Sequence, residues 1–150
     1  LRLGLKIATV VSRIHEAGWV WRDCKPTNFL ITRSERVRPI DFEGACPVNH
    51  PSTVPWGSKG FASPESLTSA KRENNVPEDL YALGATLHFV LTGVLPAQTS
   101  NGKKTITLSR IPKQLAKTIM GLLARNPEQR PNIATVILRL SSCLHELRTI

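Results

Sequence analysis

The sequence predicts a mainly α-helical protein that carries a small β-rich insert. Apolar residues recur at helical spacing near the start of the chain and again in its second half. Between them, short runs of β-type residues separated by polar turns fill residues 18–42. The 150 residues are enough for one domain with a sizeable core. With 41% hydrophobic and 21% charged residues, the composition excludes collagen-like, coiled-coil and wholly disordered chains.

The first helix is predicted before Gly18, because the preceding residues form an apolar stripe at helical spacing. The stripe consists of Leu3, Ile7, Val10, Val11 and Ile14. The β-rich insert follows, with strand-like runs at residues 19–21, 29–32 and 37–40. Residues 43–60 have no apolar periodicity and are interrupted by glycine and proline, so we expect an extended loop there.

The second half of the chain predicts three helices. Residues 81–97 form the most apolar stretch, but glycine, histidine and proline interrupt it, so it favours a buried helix over a membrane span. This helix is expected to begin at Pro77, and two further helices at Pro112 and Pro131, since proline is favoured in a first helical turn. Residues 96–109 are predicted to be irregular.

The charge and the cysteine content of the chain indicate which partners it binds and in which compartment it lies. The net charge is +9, without a basic tail of the kind that binds nucleic acid by itself. Three widely spaced cysteines without a Cys-x-x-Cys pair do not fit a disulfide scaffold or a zinc module, and they favour an intracellular, cytoplasmic protein. Every charged residue between Leu80 and Pro127 is basic, so the region 103–125 is either a solvated face or a docking surface for an acidic partner. No aromatic residues interleave this region, which does not favour nucleic acid as the partner.

The insert carries polar residues whose spacing suits phosphoryl transfer. Within residues 21–28, Asp23 is followed two positions later by Lys25 and five positions later by Asn28, and Asp41 stands thirteen positions beyond Asn28. Phosphoryl transfer needs a carboxylate that accepts the proton of a hydroxyl, a cation against the phosphate and oxygen ligands for Mg²⁺. These four residues supply all three.

On these residues the sequence resembles the protein kinase superfamily of the Ser/Thr type, in its C-terminal lobe. Asp23, Lys25 and Asn28 match the catalytic loop H-R-D-x-K-x-x-N. Further matches, in the order of the family, are Asp41-Phe42 for Asp-Phe-Gly, Ser63-Pro64-Glu65 for Ala-Pro-Glu, Asp79, Tyr81 and Gly84 for D-x-W/Y-x-x-G, and the late arginine Arg130. The resemblance implies a kinase-like C-terminal lobe over residues 1–150, with the catalytic loop at 21–28 and the activation segment at 41–65.

The resemblance also implies a role for each residue of the polar set. Asp23 is the expected catalytic base, and Lys25 is the expected contact to the transferred phosphate. Asn28 and Asp41 are the expected Mg²⁺ ligands, so ATP and Mg²⁺ are the implied cofactors and a protein hydroxyl is the implied substrate. Ser58 is expected to bridge Asp23 and Lys25.

Four further residues are implied to be structural or regulatory. Glu65 and Arg130 would form a buried ion pair that fixes the end of the activation segment. Asp79 would accept hydrogen bonds from backbone N–H groups of the catalytic loop. Arg22 would leave room for a phosphate carried by Ser52 or Thr53 of the activation segment.

Two positions depart from the family pattern. Trp21 stands where the family has His, and it keeps an apolar body and an N–H donor to pack under Phe42. Glu43 replaces the glycine of the metal motif, and Gly44 is expected to take over its conformational role. The chain contains no counterpart of the family's glycine-rich loop, strand lysine or helix glutamate. We therefore expect the N-terminal lobe to be absent and the isolated chain to be inactive.

Two other functions stay open on the sequence alone. Small-molecule phosphotransferases of the aminoglycoside and choline type share the Asp-x-x-x-x-Asn loop and often read Ile-Asp-Phe-Glu, as residues 40–43 do here. Lys25, Asp79 and Arg130 argue against them, because these residues accompany an activation segment for protein substrates. A catalytically inactive pseudokinase scaffold is favoured by Trp21 and Glu43 and opposed by the intact polar set.

Overall fold

The computed structural model describes residues 1–98, 104–105 and 111–147, and within them four α-helices form most of the fold. The helices are α1 (Arg2–Glu16), α2 (Val76–Thr92), α3 (Lys113–Leu122) and α4 (Ile133–Glu146). The prediction of a mainly helical protein with a small β insert is confirmed. The starts of three helices differ slightly from those predicted, because α2 begins one residue before Pro77, α3 one residue after Pro112 and α4 two residues after Pro131. At α4 the Asn132 side chain caps the helix by accepting a hydrogen bond from Thr135 N.

Helix α2 lies at the centre of the core because it is apolar on every side. Its residues 78–88 are all buried, and it packs against both α1 and α3. Helix α4 in turn packs against α1 and α3. The apolar stretch that the sequence presents is therefore a buried helix, as predicted, and no helix of the described residues is long and apolar enough to cross a membrane.

Short antiparallel strand pairs complete the fold. Strand β1 (Trp19–Val20) pairs with β4 (Cys46–Pro47), and β2 (Phe29–Ile31) pairs with β3 (Val37–Pro39). A third pair joins β5 (Ala97–Gln98) to β6 (Lys104–Thr105), inside the region that was predicted to be irregular. Strand β4 lies in the predicted loop, and two residues are too few to show the alternation by which a strand is recognised.

The three cysteines are free and buried. Cys24 and Cys143 belong to the hydrophobic core that the helices enclose. The structure thus uses cysteine as a small apolar side chain.

Candidate active site

Asp79 attaches residues 21–28 to the central helix. Its carboxylate accepts hydrogen bonds from the backbone N–H of Trp21 at 2.8 Å and of Arg22 at 2.6 Å, and His15 Nε2 lies 2.8 Å from Oδ2. Arg22 has a φ of 67°, which is unfavourable for a residue with a side chain. The two bonds to the fully buried Asp79 hold this conformation, so the contact expected for Asp79 is present.

The side chains of four expected site residues form one hydrogen-bonded network. Lys25 Nζ donates to Asp23 Oδ2 at 2.7 Å and to Ser58 Oγ at 2.6 Å. Ser58 Oγ donates to Asp23 Oδ1 at 2.8 Å, so the bridge expected of Ser58 is present. Asn28 Nδ2 donates to Asp23 Oδ2 at 2.9 Å and to its carbonyl at 3.0 Å. Both carboxylate oxygens of Asp23 are therefore fixed in direction.

Asp41 lies outside this network but near the same end of the β2–β3 hairpin. Asn28 directly precedes β2, and its carbonyl accepts a hydrogen bond from Ile40 N at 2.9 Å, next to Asp41. The Asp41 side chain is exposed, and its one hydrogen bond among the described residues is a 3.5 Å contact from Glu43 N. Its carboxylate is free to bind a ligand.

The donor set at Asn28 and Asp41 fits Mg²⁺. Because Asn28 donates through Nδ2 to Asp23, its Oδ1 is left without a hydrogen bond in the part of the chain that the structure describes. Mg²⁺ prefers such oxygen ligands, and it is usually bound through one or two side chains together with waters and phosphates. The described residues contain no cluster of three or more His, Cys, Asp or Glu that could hold a metal ion.

Trp21 holds the loop of Asp41 through an aromatic stack and a hydrogen bond. Its ring stacks on Phe42 with centroids 5.5 Å apart and meets Phe29 edge to face at 5.1 Å. The indole N–H donates to the Asp41 carbonyl at 2.7 Å. Asp41 has a φ of 64°. The apolar body and the N–H donor expected of Trp21 are both used.

Gly44 does not have the conformational role that was expected. It is not among the residues with positive φ. Glycine is instead required because the Trp56 indole lies directly on it, and a Cβ at this position would be 1.9 Å from Trp56 Nε1. The expectation was wrong because this contact joins residues that are distant in sequence.

Glu65 and Arg130 form the expected ion pair. Arg130 donates to both Glu65 carboxylate oxygens, to the Pro77 carbonyl at 2.7 Å and to the Ala124 carbonyl at 3.0 Å. The guanidinium also lies 5.0 Å above the ring centre of Tyr81. Burial raises the pKa of Glu65, but the hydrogen bond and charge of Arg130 outweigh it, so the net pKa is lowered.

The structure places a partner on Arg22 that sequence analysis missed. Arg22 Nε donates to Glu78 Oε2 at 2.9 Å, and Nη2 donates to the Val54 carbonyl at 2.7 Å. The room expected for a phosphate is therefore filled by a carboxylate. The available signal was Glu78 itself, a charged residue in a helix that is apolar on every side, since a buried charge requires a partner.

The basic region 103–125 is described only in part. Lys113 and Lys117 on α3 and the following Arg125 are exposed. Lys103, Arg110 and the side chain of Lys104 lie outside the described residues. The acidic docking partner therefore stays a prediction.

Comparisons with known proteins point to one family. The family model described as Protein kinase domain matches residues 2–141. A protein named "Probable serine/threonine-protein kinase" in Clostridium perfringens is 28% identical over 92% of this chain and 22% of its own length. Sperm motility kinase 3A of Mus musculus is 28% identical over 88% of this chain and 28% of its own length. Serine/threonine-protein kinase PknK of Mycobacterium bovis is 31% identical over 89% of this chain and 13% of its own length. The chain thus spans less than a third of each of these relatives.

Proposed function

The chain belongs to the protein kinase family, and we propose that residues 1–150 form the C-terminal lobe of a domain that transfers the γ-phosphate of ATP to Ser or Thr hydroxyls of proteins. On this assignment residues 21–28 are the catalytic loop and residues 41–65 the activation segment. The observation that carries the assignment is the network of Asp23, Lys25, Asn28 and Ser58. It joins the two segments around one carboxylate.

Each residue of the network has a defined task in this reaction. The Asp23 carboxylate is oriented by three donors and accepts the proton of the substrate hydroxyl. Lys25 holds positive charge beside that carboxylate, where it offsets the charge of the transferred phosphate. When bound, Mg²⁺-ATP supplies the phosphoryl group, and Asn28 Oδ1 and the Asp41 carboxylate are the oxygens that would hold the metal.

A protein substrate is favoured over a small molecule by the way residues 41–65 are anchored. Glu65 is tied to Arg130, which also donates to the Pro77 carbonyl in α2 and to the Ala124 carbonyl after α3. Ser58 belongs to the same segment and donates to Asp23. A segment fixed at its end and in contact with the base can align an extended peptide for transfer.

The direct test is phosphoryl transfer by the full-length protein that carries this chain. Wild type, Asp23→Asn and the exposed control Glu128→Gln are assayed with labelled ATP and a general Ser/Thr substrate protein. We expect Asp23→Asn to lower kcat by about 10²-fold or more, because a positioned base contributes 10²–10⁴. Glu128→Gln is expected to match wild type. Equal turnover in Asp23→Asn and wild type would remove Asp23 from the role of base.

A second arm separates the alternatives. Asp41→Asn is titrated with Mg²⁺ and is expected to need a higher concentration for half-maximal transfer, since a neutral ligand replaces a charged one. Transfer to aminoglycosides or choline but not to protein would instead identify a small-molecule phosphotransferase. A folded wild-type protein that transfers phosphate to neither class of acceptor would be a pseudokinase.

A further inference from the structure

Glu78 is a buried carboxylate held between two arginines. Its Oε2 accepts from Arg22 Nε at 2.9 Å, and its Oε1 lies 3.0 Å from Arg72 Nε. The side chains of Arg22, Glu78 and Arg72 are 2%, 3% and 7% exposed, so solvent hardly reaches any of the three charges. Asn75 Nδ2 also donates to Glu78 Oε1 at 2.6 Å.

The groups that surround Glu78 all bind the backbone of residues 52–54. Arg22 Nη2 donates to the Val54 carbonyl at 2.7 Å, and Arg72 Nη1 donates to the Ser52 carbonyl at 2.9 Å. Asn75 donates to the Ser52 carbonyl at 3.1 Å and accepts from Ser52 N at 2.7 Å. This part of the activation segment has no helix or strand of its own, so side chains supply its backbone hydrogen bonds.

Arg72 extends the same arrangement toward the end of the segment. Its Nη2 donates to the Thr68 carbonyl at 2.6 Å and to the Glu65 carbonyl. One carboxylate is therefore hydrogen-bonded to Arg22 and ion-paired with Arg72, and the two guanidinium groups bind the segment at positions 52, 54 and 65. The Glu78 carboxylate also lies in the first turn of α2, where the helix dipole favours a negative charge.

We propose that Glu78 is a positioning residue whose carboxylate orders the activation segment without phosphorylation. A phosphate added to such a segment orders it by pairing with an arginine. Here Glu78 already pairs with Arg22, and the buried guanidinium is closed to a phosphate on Ser52 or Thr53 unless the pair opens. Arg22 directly precedes Asp23, and Val54 precedes Ser58, which donates to Asp23, by four residues. Glu78 therefore acts on Asp23 through Arg22 and through the segment that carries Ser58.

Charge is essential to this role, because a neutral side chain at position 78 would leave Arg22 and Arg72 buried without a counter-ion. Breaking a buried pair by removing one partner is strongly unfavourable. The arginines would then turn toward solvent and release the Ser52 and Val54 carbonyls. Glu78→Gln keeps the shape of the side chain and removes only the charge.

The test is hydrogen exchange of the full-length protein, measured by mass spectrometry on peptides that cover residues 46–60 after phosphatase treatment. Dephosphorylated wild type is expected to protect this segment. Glu78→Gln is expected to exchange it faster by about tenfold or more, as for the loss of charge-assisted hydrogen bonds. The exposed control Glu73→Gln is expected to exchange like wild type. Peptides from α1 and α4 report whether the variant is folded.

A second measurement keeps the inference testable if Glu78→Gln does not fold. In the double variant Ser52→Ala and Thr53→Ala, protection of residues 46–60 is expected to equal that of wild type except at the Val54 amide, which loses its 3.2 Å hydrogen bond to Ser52 Oγ. The role of Glu78 would be overturned if wild type protected the segment only when phosphorylated, or if Glu78→Gln exchanged it at the wild-type rate. The role deepens the proposed kinase function, but exchange needs no catalysis. If protection depended on Glu78 in a protein that transfers no phosphate, the kinase proposal would be contradicted and the role of Glu78 would stand.

Discussion

The three aspartates of the chain lie in three different environments, and their hydrogen bonds separate them by task. Asp79 is fully buried, and both of its oxygens bind backbone N–H groups, so it is committed to structure. The Asp23 carboxylate accepts hydrogen bonds from Lys25, Asn28 and Ser58, and the residue is 8% exposed. Asp41 is exposed and nearly free of donors. This order runs from a group that fixes a loop to a group that can take a ligand.

Cys24 provides a prediction at the same scale, because it directly follows Asp23 and yet is completely buried. Burial raises the pKa of its thiol well above the usual range, and the nearby carboxylate of Asp79 raises the pKa further. Since the thiolate is the reactive form, we expect native Cys24 to be alkylated by iodoacetamide at about pH 8 about 10²-fold more slowly than in the urea-unfolded chain. Peptide mass spectrometry identifies the labelled site.

The unfolded chain is the control for this measurement, because all three thiols are free and should react there at similar rates. Labelling of Cys24 in the native protein at the unfolded rate would show that the thiol is open. It would then be a candidate site for covalent inhibition next to Asp23, contrary to its place as a small apolar side chain in the core.

At the scale of elements, the periodicity of apolar residues predicted the helices but could not predict contacts between residues that are distant in sequence. The four helices follow from their apolar stripes, and the starts of α2, α3 and α4 also follow from nearby prolines. Strand β4 was missed because only its pairing with β1 defines it. The contacts of Glu78 with Arg22 and of Gly44 with Trp56 were missed for the same reason. A local pattern reports which face of an element is buried, but not which distant residue covers it.

The close packing of α2 on α3 predicts that a methyl group added at Gly84 destabilises the fold. A Cβ at Gly84 would be 2.7 Å from Leu122 Cβ, so Gly84→Ala must push the helices apart. We expect the free energy of unfolding to fall by about 1–3 kcal/mol, the usual cost of overpacking. Urea denaturation followed by circular dichroism measures the change.

The matched control is Gly121→Ala on the partner helix. There the nearest heavy atom would be 3.4 Å from the new Cβ, which is ordinary contact. Alanine is the better helix former, so this variant should gain up to about 1 kcal/mol. If both variants changed stability in the same direction, close approach of the two helices would not be the reason for glycine at position 84.

At the scale of the whole molecule, residues 21–28 and residues 41–65 take their positions from the same central helix. Asp79 holds the loop, and Glu78, one residue earlier, holds Arg22 against residues 52–54. The far end of the segment is tied to Arg130, which follows α3 and precedes α4. The chain thus joins its β-rich half to its helical half through buried charges. Such pairs fix geometry more dependably than they add net stability.

The ion pair of Glu65 and Arg130 predicts how the free energy of unfolding depends on pH. Arg130 lowers the pKa of Glu65 below its ordinary value of 4.5. The folded state therefore binds this proton less readily than the unfolded state, so the stabilisation is present above that value and is lost as the pH falls through the folded pKa. Glu65→Gln should reduce the free energy of unfolding by about 2–3 kcal/mol near neutral pH, less than for a fully buried pair. The Glu65 side chain is 22% exposed, which weakens the pair.

Urea denaturation of wild type and Glu65→Gln at a series of pH values measures this dependence. The two proteins are expected to differ by a constant amount above about pH 6 and to converge as the pH falls below 4.5 and through the lowered pKa of folded Glu65, because wild type then carries a neutral Glu65 as well. The exposed Glu128→Gln is the control, and its stability should follow wild type at every pH within about 0.5 kcal/mol. A difference between wild type and Glu65→Gln that stayed constant down to about pH 3 would show that packing, and not the charge on Glu65, holds residues 63–65 to Arg130.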